Sequence, residues 1–159
     1  MGAYTVRDAK PEEQRELTRL VVSATMHAGH DEAFIDRAIS GLAITLPMIN
    51  GKSVQVAQDD SGKVIGVVAV TRSTLQGVAL LNHLFVDPLH WRRGVGRVLF
   101  ETAIARAKEL KTGAIFIYAE PSAEGFYEQM GTTRIGEAPF VLSPEVVFPH
   151  LLYVIPREG

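Results

Sequence analysis

Cysteine is absent from the 159-residue sequence, so the chain has no disulfide, no thiolate nucleophile and no cysteine-based zinc site. Charged residues interrupt the N-terminus at Arg7 and Asp8, before any apolar run typical of a secretion signal develops. Val6 stands where a myristoylation signal requires serine or threonine. Long apolar runs are also lacking, since VIGVVAV has only the length of a strand. We therefore expect a cytoplasmic protein with no membrane partner.

An excess of positive charge is missing as well. The formal net charge is −2, which argues against a nucleic-acid partner bound through bulk positive charge. Apolar residues make up 47% and charged residues 21%, as in ordinary globular proteins. The length suits one domain with a hydrophobic core, and we find no repeat, low-complexity tract or linker that divides it. We predict a single domain over residues 1–159.

Hydrophobic periodicity and turn residues predict a chain that mixes strands and helices. We expect helices over four ranges: 11–26, 32–42, 94–110 and 123–131. We expect strands over six ranges, the second of them a hairpin around the turn 59–62: 3–9, 53–72, 78–86, 112–120, 132–138 and 150–155. Adjacent hairpins combined with βαβ crossings imply an α/β (α+β) arrangement in which a mixed sheet is covered by helices.

The segment PFVLSPEVVFPHLLYVI, which leads into the last strand, is unusually apolar and rich in proline. We interpret its first part as a loop packed over the end of the sheet. A homodimer contact and a hydrophobic wall for a substrate are the alternatives, because apolar segments need cover.

Arginines and glycines are concentrated at the start of the predicted helix 94–110. The first amides of a helix have no intrahelical partner and lie at the positive end of its dipole. Gly94 and Gly96 let a ligand approach these amides closely, and Arg92, Arg93 and Arg97 add full charges. This combination predicts a pyrophosphate site, against the simpler reading of a basic turn.

Two familiar phosphate loops do not fit this segment. The pattern G-x-x-x-x-G-K-[ST] occurs nowhere in the chain, and the dinucleotide pattern G-x-G-x-x-G requires a glycine where Leu99 stands.

The segment LFVDPLHWRRGVGRVLF instead resembles the acyl-CoA-binding motif of the GNAT superfamily of N-acyltransferases, in which a strand leads into [Q/R]-x-x-G-x-[G/A]. Gly94 and Gly96 match the two small positions, whereas Trp91 replaces the usual glutamine or arginine. Because the motif works mostly through main-chain amides, the replacement affects a side-chain contact more than the anion site.

A second GNAT signature, N-x-x-A-x-x-[FL]-Y-x-x-x-G-F, is similar to EPSAEGFYEQMGT. Four positions match: Ala123, Phe126, Tyr127 and Gly131. Glu120 stands where asparagine is usual, and Thr132 replaces the last phenylalanine. The resemblance implies a mixed, mostly antiparallel sheet of about seven strands with helices on both faces. It also implies that the sheet splays between the fourth and fifth strands to admit acetyl-CoA.

The resemblance implies an acetyl-CoA-dependent N-acetyltransferase. Tyr127 occupies the position of the general acid that protonates the departing thiolate, and a phenol with a pKa of about 10 is protonated at neutral pH. The main chain of Leu84, Phe85 and Val86 would pair with the pantetheine amides. A bulge near Val86 would supply the oxyanion donor. Val95 completes the anion-binding backbone.

The general base is less clearly marked. His83 lies beside the expected thioester and has a suitable intrinsic pKa, while Glu120 is an alternative that acts directly or through water. Structural packing is the competing interpretation for His83. A primary amine on a small molecule or a peptide is the expected acceptor. Metabolite amines, aminoglycosides, polyamines, amino acids and protein amines all stay open.

The sequence offers less support for other functions. His27, His30 and Asp31 resemble a metal site only faintly, and we expect no metal because no third ligand cluster accompanies them. No serine has the G-x-S-x-G context of a hydrolase. The alternative functions are a non-catalytic acyl-CoA-binding module and a nucleotide-binding domain that uses the same anion site.

Overall fold

The computed structural model describes residues 4–157, which contain five α-helices and seven β-strands. The strands are β1 (Tyr4–Asp8), β2 (Val54–Asp59), β3 (Val64–Arg72), β4 (Val78–Val86), β5 (Ala114–Tyr118), β6 (Thr133–Phe140) and β7 (Ser143–Val154). The helices are α1 (Gln14–His27), α2 (Glu32–Leu42), α3 (Leu46–Asn50), α4 (Val95–Glu109) and α5 (Glu124–Met130).

The strands form one mixed sheet in the order β1, β2, β3, β4, β5, β7, β6. β1 and β2 pair antiparallel, as do β2 and β3, β5 and β7, and β6 and β7. β4 and β5 run parallel, with Val78–Leu81 opposite Ala114–Ile117. The predicted mixed, mostly antiparallel sheet of about seven strands is confirmed.

The chain divides into two compact units, which we describe separately. Unit 1 contains the residues up to Ala69 together with His83–Thr102, and unit 2 contains Val70–Asn82 and the chain from Ala103 onward. β3, β4 and α4 each contribute residues to both units.

The core of unit 1 lies between α1 and the strands β2 and β3. Leu17 and Val21 on one side of α1 are fully buried, together with Val54 and Val56 of β2 and Val67 of β3. Each fully buried side chain of this size contributes about 1.5–3 kcal/mol through its removal from water. The apolar side chains at helical spacing on α1 and at alternate positions of β2 therefore pack together in one apolar layer.

Gly66 of β3 allows the start of α4 to approach the sheet closely. A Cβ atom at this position would lie 2.8 Å from a methyl carbon of Leu99 and 3.3 Å from one of Val95. Since real Cβ atoms essentially never come so close, a larger residue would require the Leu99 side chain to shift. Gly66 thereby allows the side chains of the first turns of α4 to pack closely on β3.

Unit 2 buries one face of its strands. Ile115 and Ile117 of β5 are almost inaccessible, as are Ala79 of β4 and Leu151 of β7. Phe116 and Tyr118 alternate with Ile115 and Ile117 along β5, and they are half-buried and exposed respectively. This alternation is typical of a sheet with one packed face.

Most predicted elements are observed within a few residues, but two differences stand out. The first strand was expected from Ala3, and this residue lies outside the described residues. The helix predicted over 11–26 begins as a single 3₁₀ turn at Pro11–Glu13. A short helix, α3, was not predicted; Thr45 caps it by accepting a hydrogen bond from the Met48 amide.

The expectation of a packed loop before the last strand is wrong. The segment is a β-hairpin, because β6 extends to Phe140 and β7 begins at Ser143. Phe140 and Phe148 stack across the two strands with ring centroids 4.6 Å apart. Proline cannot donate a ladder hydrogen bond, and shifts in the pairing register near Pro139 accommodate this loss.

Arg7 of β1 and Glu13 form a bidentate ion pair that holds the first helical turn against the sheet. The guanidinium nitrogens donate to the two carboxylate oxygens at 2.9 and 2.7 Å. The carboxylate also accepts the Lys10 amide at 2.8 Å. Hydrogen bonding to Arg7 is the main reason why the pKa of Glu13 is lowered from its ordinary value.

We expect Glu13→Gln to lower the free energy of unfolding by about 1 kcal/mol at pH 7. A lowered folded-state pKa gives stability that is present above the ordinary pKa of 4.5 and is lost as the pH falls through the folded-state value. The difference between the two proteins should therefore shrink in acid. Urea unfolding at several pH values measures it.

Glu137→Gln is the control for this prediction. Glu137 bonds Arg134 at 3.0 Å, but its side chain is 59% exposed, so we expect an effect below about 0.5 kcal/mol. Equal losses in the two variants, or a Glu13→Gln loss that does not depend on pH, would contradict the assigned role of the half-buried Arg7–Glu13 pair.

Candidate active site

The loop between β4 and α4 is held at its first residue, Asp87. The Asp87 amide donates to the Ile65 carbonyl at 2.8 Å, and its carboxylate accepts the Leu89 amide at 3.0 Å. The Lys63 ammonium lies 3.8 Å from the same carboxylate. These contacts join the loop to the neighbouring strand β3.

Trp91 holds the middle of the loop. Its indole nitrogen donates to the Val86 carbonyl at 2.7 Å, and its ring meets His27 edge to face at 5.8 Å. At this position the family pattern usually has glutamine or arginine, so an indole supplies the side-chain contact here. One lone pair of the Val86 carbonyl is thereby occupied.

The loop ends in two residues with left-handed backbone conformation. Arg92 has φ 64° and Gly94 has φ 81°. The Gly94 carbonyl accepts the first hydrogen bond of α4, from the Val98 amide at 3.2 Å, and a second one from the Tyr4 hydroxyl at 3.2 Å. Because α4 begins at Val95, its first amides have no intrahelical acceptor.

The space beside these amides is open. A Cβ atom at Gly94 would have no neighbour closer than the Tyr4 hydroxyl at 4.0 Å. Arg92, Arg93 and Arg97 are exposed. Amides without an intrahelical acceptor, a helix N-terminus and three guanidinium groups together form an arrangement that fits a diphosphate.

The residues on either side of the loop differ in burial. Leu84, Phe85 and Val86 are half-buried at the end of β4, and Phe85 packs against the core of unit 1. Val95 is 2% exposed, so its side chain anchors the helix while its amide belongs to the anion site. Gly96 follows within the first turn.

His83 is buried in unit 1 with one nitrogen bonded. Its Nε2 lies 3.1 Å from the Leu42 carbonyl and must carry the proton, because a carbonyl only accepts. Its Nδ1 has no hydrogen-bond partner among residues 4–157. Burial lowers the pKa of His83 from its ordinary value, so the neutral ring with a free Nδ1 lone pair is favoured.

Unit 2 brings Glu120 and Tyr127 into electrostatic contact. Glu120 caps a 3₁₀ turn at Pro121–Ala123 and accepts hydrogen bonds from the amide and hydroxyl of Ser122. Tyr127 on α5 is 6% exposed. Burial first, and then the negative charge of Glu120, raise the pKa of Tyr127 well above its ordinary value. The phenol therefore stays protonated across the physiological pH range.

The structure gives His30 and Asp31 roles other than metal binding. The Asp31 carboxylate caps α2 by accepting the Phe34 amide at 2.9 Å, and the His30 ring stacks on Phe34 at 4.1 Å. Within residues 4–157, no group of three or more histidine, aspartate or glutamate side chains is arranged to hold a metal ion. Across the same residues, no helix is long and apolar enough to cross a membrane.

Comparison with known proteins establishes the family. Residues 8–141 match the family model described as an acetyltransferase (GNAT) domain. The chain is therefore a member of the GNAT acetyltransferase family.

Two named relatives and one solved structure illustrate the similarity. The chain is 32% identical to human N-acetyltransferase 8 over 116 residues, which cover 66% of this chain and 49% of that protein. It thus spans about half the length of that relative. Identity is 30% over 82 residues with glucosamine 6-phosphate N-acetyltransferase of Schizosaccharomyces pombe, covering 48% of this chain and 74% of that protein.

The solved structure is PaiA N-acetyltransferase from Thermoplasma acidophilum in complex with coenzyme A. It superposes with a TM-score of 0.76 over 96% of this chain and 99% of that chain, at 15% identity. At this identity the match supports the fold alone.

Proposed function

We propose that this protein transfers an acetyl group from acetyl-CoA to a primary amine, and that residues 1–159 form one N-acetyltransferase domain. The observation that carries the proposal is the anion site at the start of α4, where Gly94 leaves open space beside amides without an intrahelical acceptor. The family match supports the thioester as donor. A cytoplasmic location stays a prediction from the sequence.

The anion site would hold the diphosphate of acetyl-CoA. Arg92, Arg93 and Arg97 supply positive charge, and the amides of Val95 and Gly96 supply donors. Main-chain groups of Leu84 and Phe85 would pair with the pantetheine amides, as an added strand would. The Val86 amide would supply the oxyanion donor, because in the main chain only an N–H group can donate a hydrogen bond to the oxyanion.

The reaction is a direct displacement. The lone pair of the neutral amine attacks the thioester carbon, a C–N bond forms, and the C–S bond breaks. Tyr127 would donate its phenolic proton to the departing thiolate, a role supported by its position in the family motif. Its raised pKa keeps the phenol protonated and available at neutral pH, although it does not make the phenol a stronger acid. The extra proton of the amine passes to a base or to water.

His83 is our candidate for the base. Its Nδ1 is buried but has no hydrogen-bond partner within residues 4–157, whereas the Glu120 carboxylate already accepts hydrogen bonds from Ser122. Glu120 instead acts mainly by its charge, which raises the pKa of Tyr127 and attracts a protonated amine.

We expect His83→Gln to lower kcat/KM about tenfold at neutral pH, since water still accepts protons slowly. Glutamine retains a donor for the Leu42 carbonyl and removes the base. Because the pKa of His83 is lowered, wild-type activity should persist at neutral pH and fall only below about 6.5, whereas the variant should lack that acidic limb. Superimposable pH profiles would dismiss His83.

A panel of primary amines tests the overall proposal. Release of free CoA thiol, together with mass spectrometry of the acetylated product, should identify at least one acceptor class. Tight CoA binding with no thiol release for any amine would favour a non-catalytic acyl-CoA-binding module. Stronger thermal stabilisation by ATP or NAD than by CoA would favour a nucleotide-binding domain.

A further inference from the structure

Unit 2 carries a cluster of three aromatic rings that the proposed chemistry does not use. Tyr118 meets Phe116 at 4.7 Å and His150 at 4.9 Å, and Phe116 meets His150 at 5.4 Å. Each pair is edge to face, the arrangement that aromatic quadrupoles prefer. Tyr118 is nevertheless 57% exposed, which is unusual for a ring with two aromatic neighbours.

Strand pairing places the cluster on one face of the sheet. Tyr118 lies directly opposite His150, and Phe116 lies opposite Leu152, so these side chains share a face. Leu80 of β4 is in register with Phe116 and extends the same surface. The other face contains the buried core of unit 2. The cluster therefore forms the rigid centre of an apolar surface that is partly open to solvent.

A carboxylate borders this surface. The Ala119 amide still bonds the Pro149 carbonyl at 3.0 Å, so the ladder continues past Tyr118. Glu120 follows Tyr118 by two residues, and its carboxylate caps the next turn by accepting the Ser122 amide at 2.9 Å. An exposed ring followed by a carboxylate complements a ligand with one aromatic end and one ammonium end.

We propose that the aromatic face formed by Phe116, Tyr118 and His150 binds the acceptor, and that this acceptor is an amine carried on an aromatic group. The inference rests on the proposed acetyl transfer and narrows its acceptor class. The acceptor ring stacks on Tyr118, and its ammonium group is attracted to Glu120. A sugar phosphate fits this surface poorly, because Glu120 would repel the phosphate.

The test compares 2-phenylethylamine with 2-cyclohexylethylamine, which share a carbon skeleton but differ in aromaticity. Binding is measured by NMR titration without acetyl-CoA, so the result does not depend on turnover. Wild-type protein should bind the aromatic amine about threefold to tenfold more tightly, the range of a single aromatic contact. Equal affinities in the wild-type protein would overturn the inference directly.

Variants of Tyr118 test whether this residue causes the tighter binding of the aromatic amine. Tyr118→Leu keeps apolar bulk and should erase the difference between the two amines, whereas Tyr118→Phe should retain it. Val154→Ala is the matched control: Val154 is 66% exposed on the same face and lies four ladder positions away, about 13 Å. A preference that survives Tyr118→Leu would place the amine elsewhere.

Three further outcomes separate this inference from competing explanations. Light scattering that shows a dimer dissociating in Tyr118→Leu, with the amine preference unchanged, would assign the face to contact between two copies and overturn acceptor binding. Selective binding of the aromatic amine without any acetyl transfer would support the surface and defeat the proposed function. Acetyl transfer to other amines without selective binding of the aromatic amine would support the proposed function and overturn the aromatic acceptor surface.

Discussion

Tyr127→Phe is expected to lower kcat about 100-fold or more while leaving the affinity for acetyl-CoA nearly unchanged. General acid catalysis contributes about 10²–10⁴-fold, and the substitution removes only the proton that the departing thiolate would take. Burial and the charge of Glu120 raise the pKa of Tyr127, so the acid form persists above the ordinary phenol pKa of 10.0. The titration of Tyr127 should therefore produce no alkaline loss of activity near neutral pH.

The measurement is a single-turnover rate of acetyl transfer, beside a separate titration of acetyl-CoA binding. Tyr153→Phe is the matched control, since it removes a half-buried phenol oxygen from the same unit without touching the proposed chemistry. Its rate should equal that of the wild type. An unchanged single-turnover rate in Tyr127→Phe, with the chemical step shown to limit it, would remove this residue from the mechanism.

Gly94→Ala is expected to weaken acetyl-CoA binding about tenfold. Left-handed backbone costs a residue with a Cβ about 1–2 kcal/mol, and a tenfold change in affinity corresponds to about 1.4 kcal/mol. With φ at 81°, the loop would relax by rotating the amides that precede the first hydrogen bond of α4. These amides are the proposed donors to the diphosphate, so the strain reaches the binding site directly.

Gly62→Ala controls for the strain itself. Gly62 has φ 87° in the turn between β2 and β3, and a Cβ there would meet nothing within 4 Å. Both variants should lose similar thermal stability, but only Gly94→Ala should raise the dissociation constant measured by calorimetry. Equal affinities for acetyl-CoA in the two variants would show that the loop amides do not hold the diphosphate.

The sequence predicts elements well where local signals agree with packing. The ranges of α2 and β4 are observed as expected, because Asp31 caps α2 and the turn residues Asp87 and Pro88 end β4. The β6–β7 hairpin was missed because its prolines are typical of loops, whereas the register shifts that tolerate them arise only from pairing. α3 is too short for periodicity to reveal.

The same limits apply to the candidate site. Glycines and arginines around the start of α4 are enough to predict the proposed anion site from the sequence, since amides at a helix start are a local property. The free Nδ1 of His83 depends instead on the Leu42 carbonyl, 41 residues away in the chain. The aromatic face was not predicted from the sequence, although aromatic residues at the alternate positions 116 and 118 indicate that two rings share one face of a strand.

Trp91 is the single tryptophan of the chain, and it lies in the loop that leads into α4. With its indole nitrogen bonded to the Val86 carbonyl and its ring against His27, it senses any shift of the surrounding backbone. If the proposed anion site holds acetyl-CoA, we expect the intrinsic fluorescence of Trp91 to change when the donor binds. Stopped-flow emission, with no attached dye, would then give the association and dissociation rates of acetyl-CoA before any acceptor is known.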